Sequence, residues 1–315
     1  TALTRAPFDV VHLHEPLAPS PALAALRHAP GITAVTFHRA EPLVGVAFLR
    51  PLVDRALARA GIRIATTTTG REALSQMLPG EYRVIAPGVE EPPADAVAGG
   101  AGLVIVARGR DRVAARFALS MLRGLDLDAV GAVTLIGAAE APWRTRAAVP
   151  KGLRGRVEVV PDPGPAARVR LMADAGIAIV AGPDEAAGPA LREALAAGCA
   201  VLAPRSPAAD DAIEHGVDGL VLPPFAREAW SAAIGDLLAD PRRRRSLAEA
   251  ARALPRRTWD DAAAELEAAY AEALAARAEP GAAPRVTADL RVRPGPALTP
   301  ARLVDACRAR GIAVV

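Results

Sequence analysis

The sequence predicts an α/β protein made of two Rossmann-like units with parallel sheets. Three observations carry that expectation. Short apolar runs alternate with helical patterns, as they do in β-α units around a parallel sheet. The runs are nearly continuous in hydrophobic residues, which suits strands buried on both faces. A Pro-, Gly- and Ala-rich break, "EEPPADAVAGGA" (90–101), separates one such series from a second that begins the pattern again.

In the first series "FDVVHLH" (8–14) reads as a buried strand, and "SPALAALRHA" as a helix with Ser20 at its N-cap and Pro21 at its first position. "ITAVTFH" (32–38) is the next strand. "LVGVAFLRPLVDRALARA" is mostly helical with a break at Pro51, and "IRIATTTT" is a strand rich in β-branched residues. "GREALSQML" is a helix, and "YRVIAPGVE" a strand ending in a Pro-Gly turn. The second series runs "GLVIVAR" (102–108), a helix over 111–123, "AVTLIGA" (132–138), "RVEVVPD" (156–162), a helix over 166–174, and "GIAIVAG" (176–182). A helix over 188–197, "CAVLAP" (199–204), a helix over 207–215 and "GLVLPP" (219–224) complete it. Two helices follow at 226–239 and 241–253. Then comes a long amphipathic helix, "TWDDAAAELEAAYAEALAARA" (258–278), opened by Thr258 with carboxylates in its first turn. A second linker, "EPGAAP" (279–284), precedes the start of another β-α pattern.

Composition excludes several classes. With 315 residues and 51% hydrophobic content, the chain can bury two cores. Its two cysteines, Cys199 and Cys307, are far apart, so neither a disulfide framework nor a CxxC metal site is expected, in keeping with a reducing, cytoplasmic compartment. No apolar run approaches the ~20 residues of a membrane span. Aromatic residues are too few and too scattered for a base-stacking surface, so nucleic acid is not an expected partner. Lys151 is the only lysine, and against so arginine-rich a background a single arginine carries little information. The chain opens on Thr1 and closes on "GIAVV" within an apolar run, so it is expected to be part of a longer protein whose first unit lacks its opening strands.

The chemistry-bearing stretch is "DEAAGPALREALAAGCAVLAP" (184–204). It joins the carboxyl edge of one predicted strand to a helix beginning near Gly188-Pro189, and open α/β sheets bind ligands at such edges. The helix start offers N–H groups and a partial positive charge to a diphosphate, and Gly188 lets backbone approach it. Glu193, one turn inside, is placed to accept bonds from vicinal ribose hydroxyls; Glu185, ahead of the helix, is placed to meet a sugar carried on the phosphates.

This stretch resembles the donor-binding E-x7-E region of retaining glycosyltransferases of family 4, which have the GT-B fold: two Rossmann-like domains whose sheets face across a cleft. "FDVVHLHEPLAPSPALAAL" and "AVTFH" resemble the first domain of the phosphatidylinositol mannosyltransferase group of that family. "YRVIAPGVE", "DDAIEHGVDGLVLPP" and "TWDDAAAELEAAY" are similar to its later segments, the last being a closing helix that packs back across the first domain. The resemblance implies an acceptor domain over 1–90, a donor domain over 102–255, and the closing helix over 256–278. It further implies transfer of a hexose, mannose in the named group, from a nucleotide diphosphate sugar to an acceptor such as a lipid, without a metal or other cofactor.

On the same resemblance Glu185 contacts the donor sugar, Glu193 the ribose, and the amides around Gly188, Pro189 and Ala190 the diphosphate. His38 sits beside the reaction centre, and His14 and Glu15 face the acceptor; His12 is the ordinary core histidine of the set. Family members also clamp the diphosphate with an arginine and a lysine. Arg108 matches the first, Ala107 replaces the family's glycine before it, and Ala114 stands where the lysine is expected; Arg110, Arg112 or Arg116 is the replacement cation, and Arg112 is assigned with Arg108 to the donor site. That departure leaves two alternatives open: a nucleotide-sugar-binding module without turnover, and a sugar-nucleotide epimerase of the same fold. "DPRRRRSLAEAARALPRR" (240–257) is the densest basic run and has two readings, a solvated helix face or a contact with an anionic membrane surface that would give a peripheral location at the inner face. Finally, "TADLRVRPGPALTPARLVDACRARGIAVV" (287–315) resembles the opening of a polymerase-and-histidinol-phosphatase domain in which Arg291 and Arg293 replace the two metal-binding histidines.

Overall fold

A computed structural model describes residues 8–17, 21–29, 31–38, 53–92, 100, 102–107, 112–122, 125, 130–137, 146–147, 149, 151–182 and 187–277. The chain divides into two compact units: the first joins Thr1–Gly88 to Arg257–Val315, and the second is Val89–Arg256. The polymerase-and-histidinol-phosphatase-like segment and most of the 90–101 linker lie outside the described residues.

In the first unit four parallel strands lie in the order β1 (Val10–His14), β2 (Ile32–Phe37), β3 (Ala60–Ala65) and β4 (Arg83–Val84). Helix α1 (Pro21–His28) joins β1 to β2, and α2 (Thr68–Met77) joins β3 to β4. The threonine run after β3 is divided differently from the sequence expectation. The strand stops at Ala65, and Thr67 becomes a helix cap whose hydroxyl accepts the Gly70 N–H at 3.0 Å. The "YRVIAPGVE" strand shrinks to Arg83–Val84. Pro87 carries no N–H for a ladder, and Gly88 lies so close to the backbone of Thr258 and Trp259 that a Cβ would stand 2.3 Å from Trp259 N.

The second unit holds a six-stranded parallel sheet with the order β10-β9-β8-β5-β6-β7. Its strands are β5 (Gly102–Val106), β6 (Val133–Gly137), β7 (Val157–Pro161), β8 (Gly176–Val180), β9 (Ala200–Pro204) and β10 (Gly219–Leu222). Helices α3 (Arg112–Met121), α4 (Pro165–Ala175), α5 (Ala187–Ala196) and α6 (Pro207–Ala212) follow β5, β7, β8 and β9 in turn, while α7 (Arg227–Ala239) and α8 (Pro241–Ala253) follow β10. In chain order this is the 3-2-1-4-5-6 Rossmann arrangement, and its strand order reverses between β5 and β8. β5, β6, β8 and β9 are buried almost throughout, with one apolar cluster on each face of the sheet, as their unbroken hydrophobic runs require. Gly176 connects α4 to β8 at φ +86°, and a Cβ there would meet Gly100 O at 2.2 Å, so both the turn and the close approach call for glycine.

The final helix, α9 (Trp259–Arg277), belongs to the first unit. Leu266 and Ala269 join Ile32, Ala34, Ile62 and Ile64 in a core on one face of the first sheet, with Tyr270, Ala273 and Leu274 packed alongside. Arg257 anchors its start: Nε donates to Ala86 O at 2.8 Å, and the two terminal nitrogens fork onto Glu265 at 2.6 and 2.7 Å. Arg83 pairs with Glu272 farther along.

Candidate functional site

Two groups of expected site residues come together, one in each unit. The Val89–Arg256 group lies at the switch point of the sheet, where β5 and β8 are neighbours and the connections from their carboxyl ends lead to α3 and α5. Helix α5 begins at Ala187, one residue before the expected start, so Gly188, Pro189 and Ala190 all fall in its first turn. Pro189 has no N–H; the donors of this turn therefore come from its neighbours. A methyl group at Gly188 would meet only the Ala208 Cβ, at an ordinary 3.5 Å, so packing among the described residues does not demand a glycine here.

Glu193 is buried at 5% exposure one turn farther along α5. Its two carboxylate oxygens accept Nε and Nη2 of Arg168 at 2.5 and 2.6 Å. The third guanidinium nitrogen, Nη1, donates to Asp162 Oδ1 at 2.5 Å just beyond β7, and the same oxygen accepts the Gly164 N–H at 3.3 Å. The triad thus ties the end of β7 to α4 and α5. Burial disfavours the Arg168 charge, yet the bonds and charges of Glu193 and Asp162 prevail and hold its pKa above the ordinary arginine value.

Glu185 and Arg108 lie outside the described residues, as does the side chain of Arg112, the first residue of α3. Cys199, fully buried behind α5, donates its thiol to Met172 O at 3.0 Å, and burial pushes its pKa up to about 12, so it is no nucleophile. Among the described residues no group of three His, Cys, Asp or Glu is disposed to hold a metal ion.

In the first unit His14, Glu15 and His38 meet at the carboxyl ends of β1 and β2. His14 Nδ1 and His38 Nε2 share a hydrogen bond of 2.8 Å with their rings stacked at 5.1 Å. Glu15, in the left-handed region at φ +49°, turns back on β2: its N–H donates to Thr36 O at 2.9 Å, and its Oε1 accepts the His38 N–H at 2.6 Å. His12 stacks on His14 at 4.6 Å and is bonded on both ring nitrogens, by Tyr270 of α9 at 2.5 Å and by Thr36 Oγ1 at 2.7 Å. Burial lowers both pKa values, that of His14 to about 4 and that of His12 well below the usual histidine range, where the charges of His14 and His38 contribute as well.

This stack makes stability depend on pH. Between pH 6.5 and about 4 the unfolded chain protonates His14 while the folded chain does not, so the unfolded state binds more protons and stability falls as pH falls. The expected contribution is up to ~1.4 kcal/mol per pH unit within that window. Melting temperatures measured from pH 7.5 to 4 should decline faster for the wild type than for His14→Gln; parallel curves would remove the histidine stack as the cause.

Sequence reading passed over Arg168, Asp162 and Tyr270. A signal for Arg168 existed: it lies on the face of α4 that also carries Val169, Met172 and Ala173, all buried, where a charge without partners would be costly. Its partners were not legible from local pattern. Tyr270 had no comparable mark, since it is one aromatic residue in a long helix.

Residues 132–254 match the family model described as glycosyl transferases group 1. No curated protein matches the chain. Among solved structures it is similar to sucrose-phosphate synthase from Thermosynechococcus elongatus, at 20% identity and a TM-score of 0.71 over 87% of this chain and 76% of that one. A glycosyltransferase from Rickettsia africae matches at 17% identity and a TM-score of 0.61, over 84% of this chain and 77% of that one. Anabaena HepE in complex with UDP and glucose matches at 17% identity and a TM-score of 0.62, over 78% of this chain and 72% of that one. With its two parallel-sheet α/β domains, the chain has the GT-B fold.

Proposed function

We propose that this GT-B protein is a retaining glycosyltransferase that moves a hexose from a nucleotide diphosphate sugar to an acceptor. The observation that carries the reading is the start of α5 beside the switch point, inside the stretch matched by the group 1 glycosyl transferase model. The first turn of α5 takes the diphosphate, because aligned peptide dipoles and donor N–H groups favour an anion at a helix start. Glu193 takes the ribose hydroxyls and Glu185 the sugar. His38, held by His14 and Glu15, stands on the acceptor side. Attack comes from the face of the departing diphosphate, whose oxygen removes the acceptor's proton while the bond from the anomeric carbon to that diphosphate breaks. Arg108 and Arg112 offset the charge that develops on it. UDP and glucose in the HepE structure support a nucleotide sugar as the donor class.

The test starts at Gly188. Alanine is the better helix former by roughly 1 kcal/mol, and among the described residues its methyl would meet only the Ala208 Cβ, at 3.5 Å. Gly188→Ala is therefore expected to fold at least as stably as the wild type yet bind UDP or GDP about tenfold more weakly, because the Cβ holds the phosphates off the backbone. Calorimetry gives the affinity and thermal melting the stability. Unchanged affinity for whichever nucleotide binds would remove α5 as the phosphate site. Incubation with a panel of UDP- and GDP-hexoses then reads release of the nucleotide.

A second reading has its own observation: Ala114 stands where the resembling family places a phosphate-clamping lysine. A nucleotide-sugar-binding module without turnover would bind a donor from the panel and release nothing.

A lipid acceptor is the further part of the proposal, and α8 supports it. Arg242, Arg243 and Arg245 are exposed on that helix, while Arg244 turns inward and donates to Leu237 O at 2.7 Å. Among the described residues no helix is long and apolar enough to cross a membrane, so contact through this basic face would be peripheral. Sedimentation with anionic but not neutral vesicles, lost at high salt, is the expected result; equal binding to both would overturn it.

A further inference from the structure

We infer that Arg168 is a positioning residue that presents the Glu193 carboxylate to the vicinal hydroxyls of a nucleotide's ribose, an inference that rests on the donor site proposed above. Packing at this position does not call for a charge. Arg168 is 2% exposed on a face of α4 shared with Val169, Met172 and Ala173, where an apolar side chain would pack without desolvating a cation. What an apolar residue could not supply is the fork. Nε and Nη2 meet both oxygens of Glu193, while Nη1 is held by Asp162, so the guanidinium plane is fixed at one end and fixes the carboxylate at the other.

That geometry suits recognition of a diol. A carboxylate has about four acceptor positions on its two oxygens, and the fork takes one on each. Among the described residues one position on each oxygen remains for a pair of donor hydroxyls, and the carboxylate that offers them has no rotamer search left to make. The Glu193 side chain is only 7% exposed, so a ligand meets a carboxylate already fixed and nearly enclosed. The third partner, Asp162, immediately follows β7, a strand of the same sheet. Guanidinium geometry is essential to this arrangement, because a lysine ammonium cannot span both oxygens while also holding Asp162.

The test compares ribose with deoxyribose on the full chain by calorimetry, using UDP, 2′-deoxy-UDP, GDP and 2′-deoxy-GDP. The wild type is expected to bind one of the ribonucleotides about tenfold or more tighter than its 2′-deoxy form. Arg168→Lys and Asp162→Asn keep polar groups in place and so guard against a variant that merely fails to fold. In both, the ratio of ribo to deoxy affinity is expected to fall toward one, with the deoxynucleotide bound as in the wild type. In turnover the loss should appear in KM for the donor more than in kcat. A structural role alone would lower the melting temperature and leave the ratio intact, which would overturn the inference. Tighter ribonucleotide binding in Arg168→Lys would overturn it too, showing that the arginine competes with ribose for the carboxylate. A wild type that binds no nucleoside diphosphate would sink the donor site itself, whereas a discriminating wild type with unaltered variants would sink only the role of Arg168.

Discussion

Arg168→Met is expected to destabilise the Val89–Arg256 unit by about 3–5 kcal/mol, because it strands a buried carboxylate. Glu193 is 5% exposed, and Arg168 supplies two hydrogen bonds and a countercharge to it. Methionine fills much the same volume, so the loss is electrostatic and little of it is packing. The double variant Arg168→Met, Glu193→Leu makes the contrast: the buried pair is gone, the remaining charge of the triad is Asp162, whose side chain is 25% exposed to solvent, and a large part of the stability should return. Denaturant midpoints for the four corners of this cycle measure the effect. If the single arginine variant lost less than about 1 kcal/mol, water or a rearranged partner would be satisfying Glu193, and the triad would not be the rigid element described above.

His38→Ala is expected to lower turnover by about 10²–10³ in kcat, with donor affinity unchanged. The magnitude is that of losing one fixed polar contact with a charge-developing centre. The proposed role requires a ring held in place. The His38 backbone is held by the Glu15 carboxylate, and its ring by His14. Burial keeps His14 neutral down to about pH 4, so their hydrogen bond carries a single proton throughout the physiological range. Glu15 occupies an uncommon backbone region for a non-glycine residue to make its contact. The measurement is initial-rate kinetics with a donor identified from the panel, alongside calorimetry with the matching nucleoside diphosphate. Turnover within threefold of wild type would retire His38 from the reaction centre, and a parallel loss of donor affinity would move its role to binding.

Much of the architecture is legible in the sequence. The parallel strands announce themselves as uninterrupted apolar runs because a strand covered on both faces has no solvent side to mark with polar residues. Helix α8 falls at its expected bounds, and the folded chain shows why they are sharp: Asp240 caps it through the Arg242 and Arg243 N–H groups, and Pro241 suits its first position. The misjudged places follow one physical pattern. "IRIATTTT" read as a single strand because threonine serves equally as a strand residue and as a helix cap, and neighbouring residues alone do not choose between those uses. Arginine carries little information in a chain with one lysine, and only the burial of Arg168 in the folded protein sets it apart from that background.

Local order along the chain, then, was enough to establish that strands and helices alternate in two series, and that a glycine and two glutamates surround one helix start. Distances in sequence could not say which charges and rings would meet. Arg168 and Glu193 are separated by 25 residues and His12 and Tyr270 by 258, and each pair is joined only because sheet order and helix packing bring their elements side by side. Periodicity records which face of an element avoids water; the partner waiting on that face is a property of the folded chain.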